Sequence, residues 1–275
     1  MVTTEPVIVI VPSRRWVALD LRGLWAYREL LYFLAWRDVK IRYKQTALGV
    51  GWAILQPLLT LVIFTILFGR LAKIPSGGQP YSVFALAGIL PWTFFANAIT
   101  NASNSLVNNS NLIGKVYFPR LIMPAATVLA AVVDLGFSFV LMFGYYAYQH
   151  VPITINILFL PALVLVTILL AMAVGAFFAA MNVKYRDVRY ALPFLVQLAM
   201  YATPIIYPLS LVPQQWRTVV GLNPMAAIVE GYRTALLGGV FNWPSLAIAS
   251  LATVAILVGS AFYFRSVEKG FADIL

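Results

Sequence analysis

Four cations crowd into one short stretch, WRDVKIRYKQ: Arg37, Lys40, Arg42 and Lys44. On a helix, Arg37, Lys40 and Lys44 share a face, and Asp38 stands one turn before Arg42, where the two can pair. Such a row suits phosphate, because the planar guanidinium fork meets phosphate oxygens in pairs. It also suits plain attachment to anionic lipid head groups. A second set is aromatic: Trp52, Trp92, Phe94, Phe95, Tyr201 and Tyr207, with Asn97 beside the middle group in GILPWTFFANAITNASN. The negative face of a ring attracts polarised C–H groups, and amides and hydroxyls among the rings can trade hydrogen bonds with a polar chain. Packing inside a bundle and belts at the membrane interface are the competing uses of these rings.

Bond-making chemistry finds no support. The chain has no cysteine, so no thiol nucleophile, disulfide or cysteine metal site, and its one histidine, His150, reads as a loop residue. LIGKVYF holds a Gly-Lys pair but neither the following Ser/Thr nor the earlier glycine of a P-loop. Asp134 is the one acid set well inside an apolar run. A proton-driven relay needs more ionisable partners than that, so a structural hydrogen bond is the expectation. Any work this chain performs must draw its energy from another chain.

The elements that position these groups are membrane helices. Of 275 residues, 62% are hydrophobic and 10% charged, against roughly 25% charged in soluble domains. Runs near the roughly 20 residues needed to cross hydrocarbon fall at about 50–69, 82–104, 120–148, 157–181, 190–209 and 246–264. The fold class is therefore an all-α polytopic membrane protein with six spans. Almost all Lys and Arg then lie on one side; only Arg70, Lys73, Arg217 and Arg233 fall on the other. That excess places both termini in the cytoplasm and accounts for the net charge of +10.

Residues 1–20 form an N-terminal extension of unassigned role. MVTTEPVIVIVPSRRW is not a signal peptide, since an acid stands where basic residues belong and the apolar run is short. Residues 21–46 comprise an amphipathic interface helix and the basic segment. Leu24, Tyr27, Leu31 and Leu34 share a stripe, Arg22 and Glu29 lie opposite, and Asp20 can cap the helix. Residues 47–275 make the six-span domain. Between spans 5 and 6, residues 210–245 hold two short apolar runs divided by Asn223 and Pro224, which suit a cap and a first turn. They predict a re-entrant hairpin of two helices on the extracytoplasmic side, in which Glu230 and Arg233 form a local pair or an outer gate. Ala171, Gly175 and Ala179 mark close helix packing, within or between subunits. Prolines 57, 91, 193, 204 and 208 can kink spans 1, 2 and 5, and freed carbonyls then need neighbours. Between spans 2 and 3, a short helix bearing Leu112, Ile113, Val116, Tyr117 and Phe118 offers an apolar knob beside Lys115 and is ended by Pro119. It is either a docking point or an ordinary interfacial turn.

Six stretches in order carry a resemblance: WRDVKIRYKQTALGVGWAILQP, GILPWTFFANAI, KVYFPRLIMP, NVKYRDVRY, TPIIYP and LNPMAAIVEGYR. From about residue 25 to 270 the chain resembles the permease subunit of type-2 ABC exporters for lipid-linked polysaccharides such as O-antigen, capsule or teichoic acid. The resemblance implies a bacterial plasma-membrane homodimer working with two ATP-binding subunits. ATP and magnesium sit on those partners, and no cofactor sits on this chain. The polymer, on undecaprenyl diphosphate, threads between the two permeases. Arg37, Lys40, Arg42 and Lys44 then become the cytoplasmic entrance for the lipid diphosphate. Leu112, Ile113, Lys115, Val116, Tyr117 and Phe118 become the contact with the ATPase. Trp52, Trp92, Phe94, Phe95, Asn97, Tyr201 and Tyr207 become a channel in which sugar faces slide over rings. Asn223, Pro224, Glu230 and Arg233 become the outer gate. The alternatives are a type-2 exporter of drugs or lipids, whose path needs fewer polar groups, and a membrane transferase for polyprenyl-linked sugars, which needs clustered acids at the membrane face.

Overall fold

The computed structural model describes residues 25–44, 51–268 and 270–271. The N-terminal extension and the first residues of the interface helix, Arg22 and Leu24 among them, lie outside the described residues. Among those described, the regular elements are all helical: α1 (Arg28–Lys44), α2 (Gly51–Phe64), α3 (Tyr81–Asn108), α4 (Ser110–Ile113), α5 (Ile122–Tyr148), α6 (Leu160–Lys184), α7 (Val188–Ala202), α8 (Gln214–Gly221), α9 (Pro224–Leu237) and α10 (Trp243–Glu268). A π-helical segment, Thr65–Leu71, continues α2.

Among the described residues, five segments are long and apolar enough to cross a membrane: Ile54–Leu71, Tyr81–Asn108, Ile122–Tyr148, Ile155–Lys184 and Trp243–Glu268. The expected fifth span, about 190–209, is helical only over Val188–Ala202. Pro204 disfavours helix at the residue before it, Thr203, and Pro208 removes another backbone donor. A helix of 15 residues is about 22 Å long, short of a hydrocarbon core of about 30 Å.

Helix α3 is the axis of the bundle. Its apolar window is 78% buried, against 11% for α2, so α3 is enclosed and α2 peripheral. Small residues allow the enclosure. A methyl on Gly175 of α6 would stand 2.8 Å from the Ala102 methyl of α3, and Ala171 and Ala179 are fully buried. The small-residue stripe therefore packs within the chain, against α3.

Contacts at the two ends order the helices. Tyr145 and Tyr146 of α5 donate to Ser82 and Val83 at the start of α3, and Asn182 of α6 donates to the Ser103 carbonyl near its end. Helix α5 thus runs antiparallel to α3, and α6 runs parallel to it. A main apolar core follows α3 for most of its length. A second, smaller core closes the end where most cations gather; it joins Leu34, Leu106, Ile113, Phe118, Phe264 and Phe271. We call this the basic end and the opposite one the far end. Helix α1 lies along the first half of α5 and in the same direction, with Asp38 by Thr127 and Arg42 by Asp134.

Candidate functional site

The cations of α1 divide into two groups. Arg37 donates to Asp38 Oδ1 at 2.9 Å and to Asn109 Oδ1, at the end of α3, at 2.9 Å. Arg42 donates to one oxygen of Asp134 on α5, and the Tyr43 hydroxyl donates to the other. The expected Asp38–Arg42 pair does not form. Asp38 faces Arg37 and Thr127, and Arg42 reaches the neighbouring helix, because α1 packs its Leu34–Asp38–Arg42 face on α5. Burial pushes the Tyr43 hydroxyl above its ordinary pKa, against the opposing pull of Arg42. Lys40 and Lys44 are exposed, with the Lys40 ammonium 5.6 Å from the Trp36 ring centroid. Together with Phe33, Trp36, Arg37 and Ile41 they line an open groove of about 340 Å³. Its lining mixes three apolar side chains with three cations, a combination that fits an anionic head group on a hydrocarbon stem.

Past α3, the single turn α4 ends at Ile113, earlier than the expected short helix. Ile113 and Phe118 are buried in the basic-end core, Leu112 is half-buried, and Lys115, Val116 and Tyr117 are exposed. The knob is thus Val116 and Tyr117, held by its buried flanks. Arg120 fixes the exit of the loop: its backbone N–H donates to Glu268 Oε1 at 3.2 Å, its guanidinium to the Glu268 carbonyl, and its charge lies 5.8 Å from the Phe271 ring centroid.

The predicted rings separate into three places. Trp92 and Phe95, three residues apart on one face of α3, have centroids 5.8 Å apart. They line an apolar cleft of about 340 Å³ with residues of α6, α7, α9 and α10, among them Leu170, Val174, Val196 and Asn223. Phe94 is buried and is not among the walls of that cleft; Asn97 is half-buried. Tyr207 donates to the Tyr201 carbonyl at 3.2 Å, and Tyr201 is exposed at the end of α7. Trp52 is exposed at the start of α2. One copy of the chain therefore brings together one pair of these rings, Trp92 and Phe95, and the full set does not form one surface.

The far end is tied together by the predicted gate residues. The Asn223 side chain accepts from Met225 N at 3.0 Å, capping α9, and donates to Thr203 Oγ1 at 2.9 Å. Pro224 occupies the first turn, where its missing N–H costs nothing. Arg233 is buried to 4% exposure, donates to the carbonyls of Pro204 and Ile205, and pairs with Glu230 at 3.3 Å. Its guanidinium carbon lies 3.7 Å from the Phe84 ring centroid. Several residues in these junctions carry no motif of their own: Tyr43, Asn109, Tyr81, Phe84 and Glu268. The two prolines of TPIIYP were the available signal for the far-end group, since they orphan carbonyls that something must take up.

Residues 29–237 match the family described as ABC-2 type transporter. The chain is 26% identical over 252 residues to the O-antigen export system permease protein RfbA of Klebsiella pneumoniae, covering 90% of this chain and 95% of that protein. It is 28% identical over 257 residues to the protein of the same name from Myxococcus xanthus, covering 92% and 97%. To the polysialic acid transport protein KpsM of Escherichia coli it is 25% identical over 235 residues, covering 82% and 89%.

Proposed function

Because this chain belongs to the ABC-2 type transporter family, we propose that it is the permease subunit of an exporter that moves a polysaccharide carried on undecaprenyl diphosphate, driven by ATP hydrolysis in a separate subunit. The observation that carries this is the near end-to-end match to relatives named for O-antigen export and polysialic acid transport. The basic end then faces the cytoplasm by the positive-inside rule. Helix α7 with the non-helical residues 203–208 completes a sixth crossing, and α8 and α9 form a re-entrant hairpin on the outer side. The chain itself holds no cofactor in this reading; ATP and magnesium belong to the partner.

Two copies make the channel. Helices α2 and α7 leave large apolar residues exposed, Leu59, Val62 and Ile63 on one and Phe194, Leu198 and Tyr201 on the other. A two-fold axis beside them would cover these faces and place the Trp52 and Tyr201–Tyr207 rings of both copies around a path. Trp92, Phe94, Phe95 and Asn97 support that path from α3. Arg37, Lys40, Arg42 and Lys44 receive the lipid diphosphate, with Lys40 and Lys44 meeting it first because they are exposed. Leu112, Ile113, Lys115, Val116, Tyr117 and Phe118 contact the ATPase, and Asn223, Pro224, Glu230 and Arg233 form the outer gate.

Co-purification with candidate ATP-binding subunits, followed by reconstitution in liposomes, tests the reading. A stable complex whose ATP hydrolysis rises with an added lipid-linked glycan, and which moves that glycan across the bilayer, is expected. Failure of any ATP-binding subunit to form a stable complex would overturn it.

A further inference from the structure

The break after α7 leaves a defined deficit of donors. In a continuing helix the Pro204 carbonyl would accept from the N–H of residue 208, but Pro208 has none. The carbonyls of Ile205 and Ile206 lose their helical partners because the stretch is not helical. Thr203, Pro204, Ile205 and Ile206 are all buried, and buried carbonyls need partners. Those partners come from other helices. Arg233 Nη1 donates to Pro204 O at 2.8 Å and Nη2 to Ile205 O at 2.6 Å. The Tyr81 hydroxyl donates to Ile206 O at 2.8 Å.

The site is shaped for a guanidinium. Its plane is backed by Phe84, where a cation is attracted to the ring face. It also passes Gly88, where an added methyl would stand 3.0 Å from Nη2 and 3.2 Å from the Ile205 carbonyl. A lysine ammonium has no planar fork to serve two adjacent carbonyls while stacked on a ring. Below the break, the buried side chains of α7 are Val188 and Leu192, while Phe194, Leu195 and Leu198 are exposed in the single chain.

We infer that Arg233 is a positioning residue that supplies donors to the two carbonyls the break leaves without helical partners, so that residues 203–206 and α9 move as one body hinged at Thr203 while α7 shifts against α3. That this hinge is used during transport rests on the export reading above; the lock itself does not.

The chain has no cysteine, so Ile206→Cys gives a single thiol at a position that is 3% exposed. With Arg233 in place, a water-soluble maleimide labels it slowly. Adding Arg233→Gln is expected to speed labelling at least tenfold in protein that remains monodisperse, and Arg233→Lys to recover only part of the protection. If Arg233→Gln is not obtained folded, Gly88→Ala, which keeps the charge and crowds Nη2, is expected to speed labelling at least threefold. Unchanged labelling in the variants that fold overturns the lock and leaves the export reading standing, since labelling needs neither ATPase nor glycan. Faster labelling with unchanged glycan export overturns the part given to the hinge.

Discussion

The two ends of this bundle use arginine in opposite ways. At the far end, Arg233 is 4% exposed, and its side-chain hydrogen bonds go to the two backbone carbonyls and Glu230. At the basic end, Arg42 and Asp134 keep side-chain exposures of 29% and 22%, and Arg37 and Asp38 keep 31% and 21%. A buried charge cannot recover solvation when its partners are removed, so it acts as a permanent fastening. A partly exposed pair can trade its partner for an incoming polar group at lower cost. The far end is built to stay assembled, and the basic end to exchange.

The sharpest way to break this comparison is Arg233→Gln, which leaves the Pro204 and Ile205 carbonyls short of donors in a dry site. It should cost about 3–5 kcal/mol, read as the largest drop in apparent Tm in detergent. Gly88→Ala overpacks the same junction without touching its charge and should cost about 1–3 kcal/mol by the same measurement. Asp134→Asn removes the charge that Arg42 and Tyr43 share, yet neither Arg42 nor Asp134 is fully enclosed by the chain, so a loss of about 1 kcal/mol is expected. A Tm drop equal to that of Arg233→Gln would show that the two ends do not differ. Lys40→Gln with Lys44→Gln should change stability by no more than about 0.5 kcal/mol while lowering export. That is visible as reduced glycan-stimulated ATP hydrolysis in liposomes, and unchanged stimulation would remove these lysines from the entrance.

Local patterning made much of this legible. The positions of the long helices followed from apolar run length, and Asn223 and Pro224 fell where a cap and a first turn belong, because capping is decided within three residues. The same prolines that marked TPIIYP as kinked did not say that the helix would stop at Ala202 rather than bend through to 209. That outcome depends on whether another helix offers donors to the freed carbonyls. Asp134 was readable as a structural acid, but its partners Arg42 and Tyr43 lie some ninety positions away on another helix. The nearby Asp38 looked the better partner for Arg42 only because helical spacing was the sole guide.

The sequence by itself determined the class of environment, the long helices and the absence of a P-loop, since apolar length, charge asymmetry and motif spacing are properties of a chain read in order. The tertiary structure decided which cations are tethered and which are open. It also decided which rings share a surface, and that Arg233 takes up what Pro208 leaves undone. Those outcomes turn on side chains meeting across helices, and the register of one helix on another is set by the packing of the whole bundle, with Gly175 against Ala102 and Gly88 beneath Arg233, rather than by any stretch within it.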